Sequence, residues 1–190
     1  MFRLIWNEQR DRFYPEAMST LTVIVGNPKP ASRTLHIAEA LGRRVAERVG
    51  AELQPTIDLA EQADQIFLQK SETLDHLTAR LAATDYAIIA SPTYKASYTG
   101  LLKAFLDRYP SNGLAGITAI PVFTIGGSEH ALAVEYTLRP LLVELGASTP
   151  TRGLAFPVQR YEELDEILDN WIAEQDAALG RPIGTGRSRS

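Results

Sequence analysis

Three stretches decide most of what this chain can become. "LTVIVG" (21–26), "YAIIAS" (86–91) and "ITAIPVFTIGG" (117–127) are nearly continuous apolar, β-branched runs. A strand with one wet face alternates apolar and polar residues; a run without alternation predicts a strand covered on both faces. Pro121 interrupts the third run and weakens the prediction at its middle. Helical periodicity separates the runs. Ala38, Leu41, Val45 and Val49 share one side of 33–50, and Gly50 stops that helix. "SETLDHLTARLAATD" (71–85) puts Leu74, Leu77 and Leu81 on one face behind a capping Ser71. "SYTGLLKAFLDRYP" (97–110) predicts a helix ending before Pro110. "EHALAVEYTLRPLLVELG" (129–146) predicts a long helix with Leu132, Leu138, Leu142 and Leu145 on its apolar side.

Two weaker strands complete the pattern. "AELQPTIDLA" (51–60) carries Pro55 and belongs at or near an edge; "STPTRGLAF" (148–156) is the last strand, before an amphipathic helix over 160–179. Strands alternating with helices specify an α/β fold, a parallel sheet with helices on both faces, built from about five βα units. The 190 residues, 45% apolar, suit one domain over 20–179. Residues 1–19 read as a loose arm. Their apolar core is too short, and too soon followed by acids, for a signal peptide. Residues 180–190, rich in Gly, Ser and Arg, read as a disordered tail. A net charge of −4 gives no reason to bind nucleic acid or anionic membrane, and the absence of cysteine removes thiolate chemistry and Cys-ligated metal.

In an open parallel sheet, ligands bind beyond the carboxyl ends of the strands. Strand order 2-1-3-4-5 would bring three unusual loops to one rim. "GNPKPASRT" opens a helix whose unpaired N–H groups favour an anion; Lys29 and Arg33 add charge, and Asn27, Ser32 and Thr34 add neutral donors. The loop is neither a dinucleotide-binding glycine motif nor a nucleoside-triphosphate loop, so a monophosphate fits. In "SPTYKASYTG", Pro92 forces an extended exit, leaving the N–H groups of Thr93, Tyr94 and Lys95 to face outward, toward the edge of a planar heterocycle. In "TIGGSEH", Gly126 and Gly127, followed by Ser128, let backbone approach a ligand. A phosphate site, a heterocycle edge and a glycine pair together describe flavin mononucleotide (FMN).

On these residues the chain resembles the NAD(P)H-dependent FMN reductases of the flavodoxin-like fold. It is similar above all to the reductase components of two-component sulfonate monooxygenase systems. The resemblance runs from about Leu21 to Ala173. It is carried by Gly26-Asn27-Pro28-Lys29 with Ser32, Arg33 and Thr34, then by Pro92, Thr93, Tyr94, Lys95, Tyr98 and Gly100, and then by Gly126, Gly127, His130 and "AVEY" at 133–136. Asn27 and Lys29 stand where the family has serine and arginine, and Ile125 where it has threonine. The resemblance implies a three-layer sandwich with FMN and NAD(P)H as cofactors, a cytoplasmic location, a homodimer or tetramer, and reduced FMN supplied to a partner flavin-dependent monooxygenase. Hydride would pass to flavin N5. No catalytic side chain is required, and the backbone of Gly126 and Gly127 would stabilise developing charge. His36, His76 and His130 read as structural or solvated. Pro140 cannot donate to the carbonyl of Tyr136, so a bulge or kink is expected there. The resemblance implies a π-type bulge at a subunit contact, with Tyr136 facing the neighbour. A tightly flavinated quinone or azo reductase and a flavodoxin-type electron carrier are the alternatives.

Overall fold

A computed structural model describes residues 18–180. The expected arm and tail lie, apart from their innermost residues, outside the described residues. The fold is three-layered, with one parallel sheet between two helical layers. Strand β1 (Thr20–Val25) leads into helix α1 (Arg33–Val49). Two short strands, β2 (Glu52–Leu53) and β3 (Ile57–Asp58), precede α2 (Glu72–Ala82) and β4 (Tyr86–Pro92). Then come α3 (Gly100–Leu106), β5 (Thr118–Ile125), α4 (Arg139–Glu144), β6 (Leu154–Pro157) and α5 (Leu164–Leu179).

The sheet order is β2-β1-β4-β5-β6, with β3 also paired to β1, all parallel. The expected edge strand exists as two pieces. Thr20 and Leu21 pair with Glu52 and Leu53, but Ile24 and Val25 pair with Ile57 and Asp58. Residues 54–56 therefore lie opposite only 22 and 23, a bulge at Pro55, which has no N–H to give the ladder. Apart from that break, the order matches the expected 2-1-3-4-5.

Period-two alternation feeds two cores. Leu21, Val23 and Val25 of β1, with Ile88 and Ala90 of β4, pack on the α1/α5 side with Leu41, Val45, Leu168 and Trp171. Ile24 and Ile89 face the other side with Leu74, Phe105, Leu138 and Leu142. Pro121 sits inside β5 without breaking it. Ala119 N–H donates toward Ser148, so residue 121, two along, faces the same side, where β6 begins pairing only at Val122.

Three boundaries differ from expectation. Helix α3 starts at Gly100 because Ser97 is engaged in a turn with Tyr94 and Thr99 is the N-cap. Strand β6 starts at Leu154 because Arg139 holds the carbonyls of Thr149 and Thr151. The long 129–146 helix is a 3₁₀ turn (Ser128–His130), a π segment (Val134–Leu138) and then α4. Pro140 near the start of α4 accounts for the break. Leu138, Leu142 and Leu145 are buried as expected, but Leu132 precedes the π segment and is exposed.

Candidate functional site

The carboxyl ends of β1, β4, β5 and β6 enclose a cleft of about 450 Å³. Eight expected site residues line it: Asn27, Lys29, Ser32, Arg33, Thr34, Pro92, Thr93 and Gly126. Ile125, noted in the sequence as standing where the family has threonine, also lines it, as do Ala31, Thr124 and Val158, which sequence reasoning did not single out. No carboxylate and no histidine borders the cleft. Among the described residues no cluster could hold a metal ion.

The loop between β1 and α1 is braced from beneath. Asn27 Nδ2 donates to Thr34 Oγ1 at 3.1 Å, and Thr34 Oγ1 meets Thr124 Oγ1 at 2.8 Å. Lys29 N–H donates to Asn27 Oδ1 at 2.9 Å, turning the loop back on itself. Asn27 and Thr34 are buried, so they support the loop and offer few free donors to a ligand. Ser32 Oγ accepts from Leu35 N–H at 3.2 Å as the N-cap of α1, leaving its own O–H to donate. Lys29 and Arg33 are exposed and, among the described residues, form no ion pair. Their charge adds to that of the α1 N-terminus. Arg33 lies over the Tyr161 ring, 5.8 Å from its centroid. Gly26 is needed just behind, where a Cβ would come within 2.4 Å of Leu102 Cβ. Thr99 Oγ1 donates to the Gly26 carbonyl and so seats α3 against the end of β1.

The second loop differs from expectation. Thr93 N–H donates to Thr124 O at 2.9 Å and Tyr94 N–H to Ser97 O at 2.8 Å, so neither faces outward. Ser97 N–H returns to Tyr94 O at 3.1 Å. Lys95 (φ 51°) and Ala96 (φ 60°) both take left-handed backbone, which closes this tight hairpin turn. A neighbouring strand end and a two-residue turn have taken the Thr93 and Tyr94 donors, two of the three N–H groups expected to face outward. Tyr94 and Lys95 are exposed and do not line the cleft. What Thr93 offers is its hydroxyl, which is buried and unpartnered beside the cleft.

At the third loop, a Cβ on Gly126 would meet nothing, so its face opens into free space. Gly127 works differently: a Cβ there would collide with the Glu129 carboxylate. Gly127 and Ser128 lie outside the cleft lining, with Ser128 starting the 3₁₀ turn. Gln159 Nε2 donates to the Gly126 carbonyl and fixes this loop from the far side of β6. His36 and His76 are exposed; His130 is half-buried near Glu129 and away from the cleft.

These features fit a phosphorylated, planar ligand. The α1 N-terminus and two unpaired cations suit a dianion, the orphaned Thr93 hydroxyl suits a polar edge, and Gly126 leaves room for a flat face. Residues 19–160 match the family of NADPH-dependent FMN reductases. An FMN reductase (NADPH) of Pseudomonas putida is 32% identical over 131 residues, covering 61% of this chain and 66% of that protein. An FMN reductase (NADPH) of Escherichia coli is 40% identical over 112 residues, covering 57% of this chain and 59% of that one. The chain thus aligns with roughly three fifths to two thirds of these curated relatives' length. The apo crystal structure of the NADH:FMN oxidoreductase EmoB superposes with a TM-score of 0.75 at 30% identity, covering 86% of this chain and 91% of that one. The family match begins just before β1 and ends in the segment after β6, so it takes in the whole cleft, and the chain belongs to the NADPH-dependent FMN reductase family.

Proposed function

We propose that the cleft binds FMN and that the chain is an NAD(P)H:FMN oxidoreductase. One observation carries this reading: a capped helix N-terminus with two unpaired cations opens into a cleft that has no carboxylate to compensate them. Lys29 and Arg33 hold the phosphate, Ser32 donates its hydroxyl to it, and Thr93 donates to the polar edge of the ring. FMN, when bound, supplies the hydride-accepting centre. The chain's own part is to orient the ring and stabilise charge at its edge. That the N–H of Gly126, which borders the cleft, has no partner among the described residues supports the latter role for it. Hydride transfer to the flavin requires no side chain to move a proton. Relatives are named for both NADPH and NADH, and nothing in the cleft selects between them.

The product is reduced FMN released to a flavin-dependent monooxygenase. Support comes from the phosphate cations being exposed: their grip is screened by solvent and salt, which favours exchange over permanent retention. The working unit is a homo-oligomer over the single domain 20–179. Tyr136 on the π segment, Val143 on α4 and Leu132 just before them are all exposed, which supports a subunit contact there. Dependence on reduced pyridine nucleotide supports a cytoplasmic location. Among the described residues, no helix is long and apolar enough to cross a membrane.

The test is a fluorescence titration of purified protein with FMN, followed by NADH and NADPH oxidation with and without added FMN. Saturable binding with turnover only when FMN is added is expected. A yellow protein that reduces quinones without added FMN would replace release with retention. Absence of flavin binding would overturn the whole reading.

A further inference from the structure

We infer that the segment after β6, residues 158–161, is a strap that positions both ends of the flavin site, and that Tyr161 is the positioning residue for the phosphate. The inference rests on the FMN reading. Strand β6 ends at Pro157, which pairs with Ile125 at the mouth of the cleft. From there Val158 borders the cleft, Gln159 reaches back to the Gly126 carbonyl, and Tyr161 reaches Arg33 on α1. Residues far apart in the chain thus tie the glycine loop to the phosphate loop.

Tyr161 suits this role because its ring is anchored. It is partly buried and packed against the apolar layer shared by α1 and α5, so it is a fixed platform. Arg33 is exposed and would otherwise sample many rotamers; an aromatic face near 6 Å restrains a guanidinium without neutralising it. A carboxylate in that place would hold Arg33 equally well but would cancel the charge the phosphate needs. The other cation of the strap, Arg160, is already committed to Glu163 through Nε at 2.9 Å and a second short contact. It therefore does not compete with Arg33 for the anion.

The experiment compares FMN with riboflavin, which lacks the phosphate, on Tyr161→Leu, Tyr161→Phe, Arg33→Ala and the Tyr161→Leu/Arg33→Ala double variant. Leucine keeps apolar packing but removes the ring face. Tyr161→Leu should weaken FMN by roughly fourfold and leave riboflavin unchanged. Tyr161→Phe should bind FMN like the parent, because the ring face and not the hydroxyl does the work. In the Arg33→Ala background the Tyr161→Leu change should add nothing further. Equal losses for both flavins, failure of phenylalanine to restore FMN, or additive effects in the double variant would each overturn the strap as a phosphate device while leaving FMN binding intact. A parent protein that binds neither flavin would instead overturn the reading beneath it. If Tyr161→Leu proves unfolded by circular dichroism, Tyr161→Met, which also lacks a ring face, takes its place: weakening of FMN alone supports the role, and FMN affinity equal to the parent refutes it.

Discussion

The loop after β1 and the loop after β4 lie on the same rim and leave similar buried strands, yet they are held in opposite ways. The first is held by side chains from below: Asn27, Thr34 and Thr124 form a buried chain of hydrogen bonds, which leaves Lys29 and Arg33 exposed and without an ion pair among the described residues. The second is held by its own backbone. Its donors close a hairpin at Tyr94 and Ser97, and two non-glycine residues accept left-handed conformations to make it. The first loop, braced mainly by side chains, keeps its two charges exposed. The second, closed by its own backbone, presents the Thr93 hydroxyl to the cleft.

The largest test of that contrast removes the free charges. Lys29→Ala with Arg33→Ala should weaken FMN on the order of 10- to 100-fold, given charge-assisted hydrogen bonds discounted for exposure, and leave riboflavin nearly unaffected. Fluorescence titration of both flavins reads it; equal losses would mean that the phosphate lies elsewhere. Next comes the brace. Thr34→Val keeps the shape but leaves the Asn27 amide and the Thr124 hydroxyl each short of a partner, and should cost about 1–3 kcal/mol in urea unfolding. A value near zero would show that the chain of hydrogen bonds is dispensable.

A smaller effect belongs to the second loop. Ala96→Gly relieves a left-handed conformation, and the gain from lost strain exceeds the added freedom of the unfolded chain, so stability should rise by about 0.5 kcal/mol with FMN affinity unchanged. Thermal unfolding reads the first and flavin titration the second. A change in affinity would mean that the turn does touch the ligand.

The smallest effect concerns the helix that follows the third loop. Arg139 holds the Glu135 carboxyl below its ordinary value of 4.5, against a lesser opposing effect of burial, and Gly153 N–H adds to the lowering. A lowered folded-state value means the carboxylate's stabilisation is present above pH 4.5 and is lost as pH falls through the folded value. Glu135→Gln should therefore flatten the fall in stability below pH 4.5 relative to the parent, measured by unfolding across that range. Identical profiles would show that the clamp on the π segment contributes nothing.

How much of this was legible beforehand follows from the range of each interaction. The buried strands were plain because continuous apolar runs have few other solutions. Ser71 and Gly50 punctuated helices as their local chemistry requires. The basic loop was plain too, since helix start, cations and hydroxyls lie within eight residues of one another, 27–34. The free N–H groups expected at Thr93 and Tyr94 were misjudged, because the partner of Thr93 is Thr124, on another strand. Gln159 and Tyr161 had no local signal at all: a glutamine and a tyrosine ahead of an amphipathic helix look like surface residues.

By itself, the sequence determined the strands and helices, their alternation into layers, the weak edge at Pro55, and a basic, hydroxyl-bearing loop at the start of α1. Hydrophobic periodicity, proline's missing donor and helix capping all act over a few residues. Only the tertiary structure decided which backbone groups remain free at the rim, and that the segment after β6 reaches both the loop after β5 and the start of α1. Those outcomes depend on which strand ends become neighbours, and hydrogen bonds across a parallel sheet join residues whose separation along the chain carries no information about their contact.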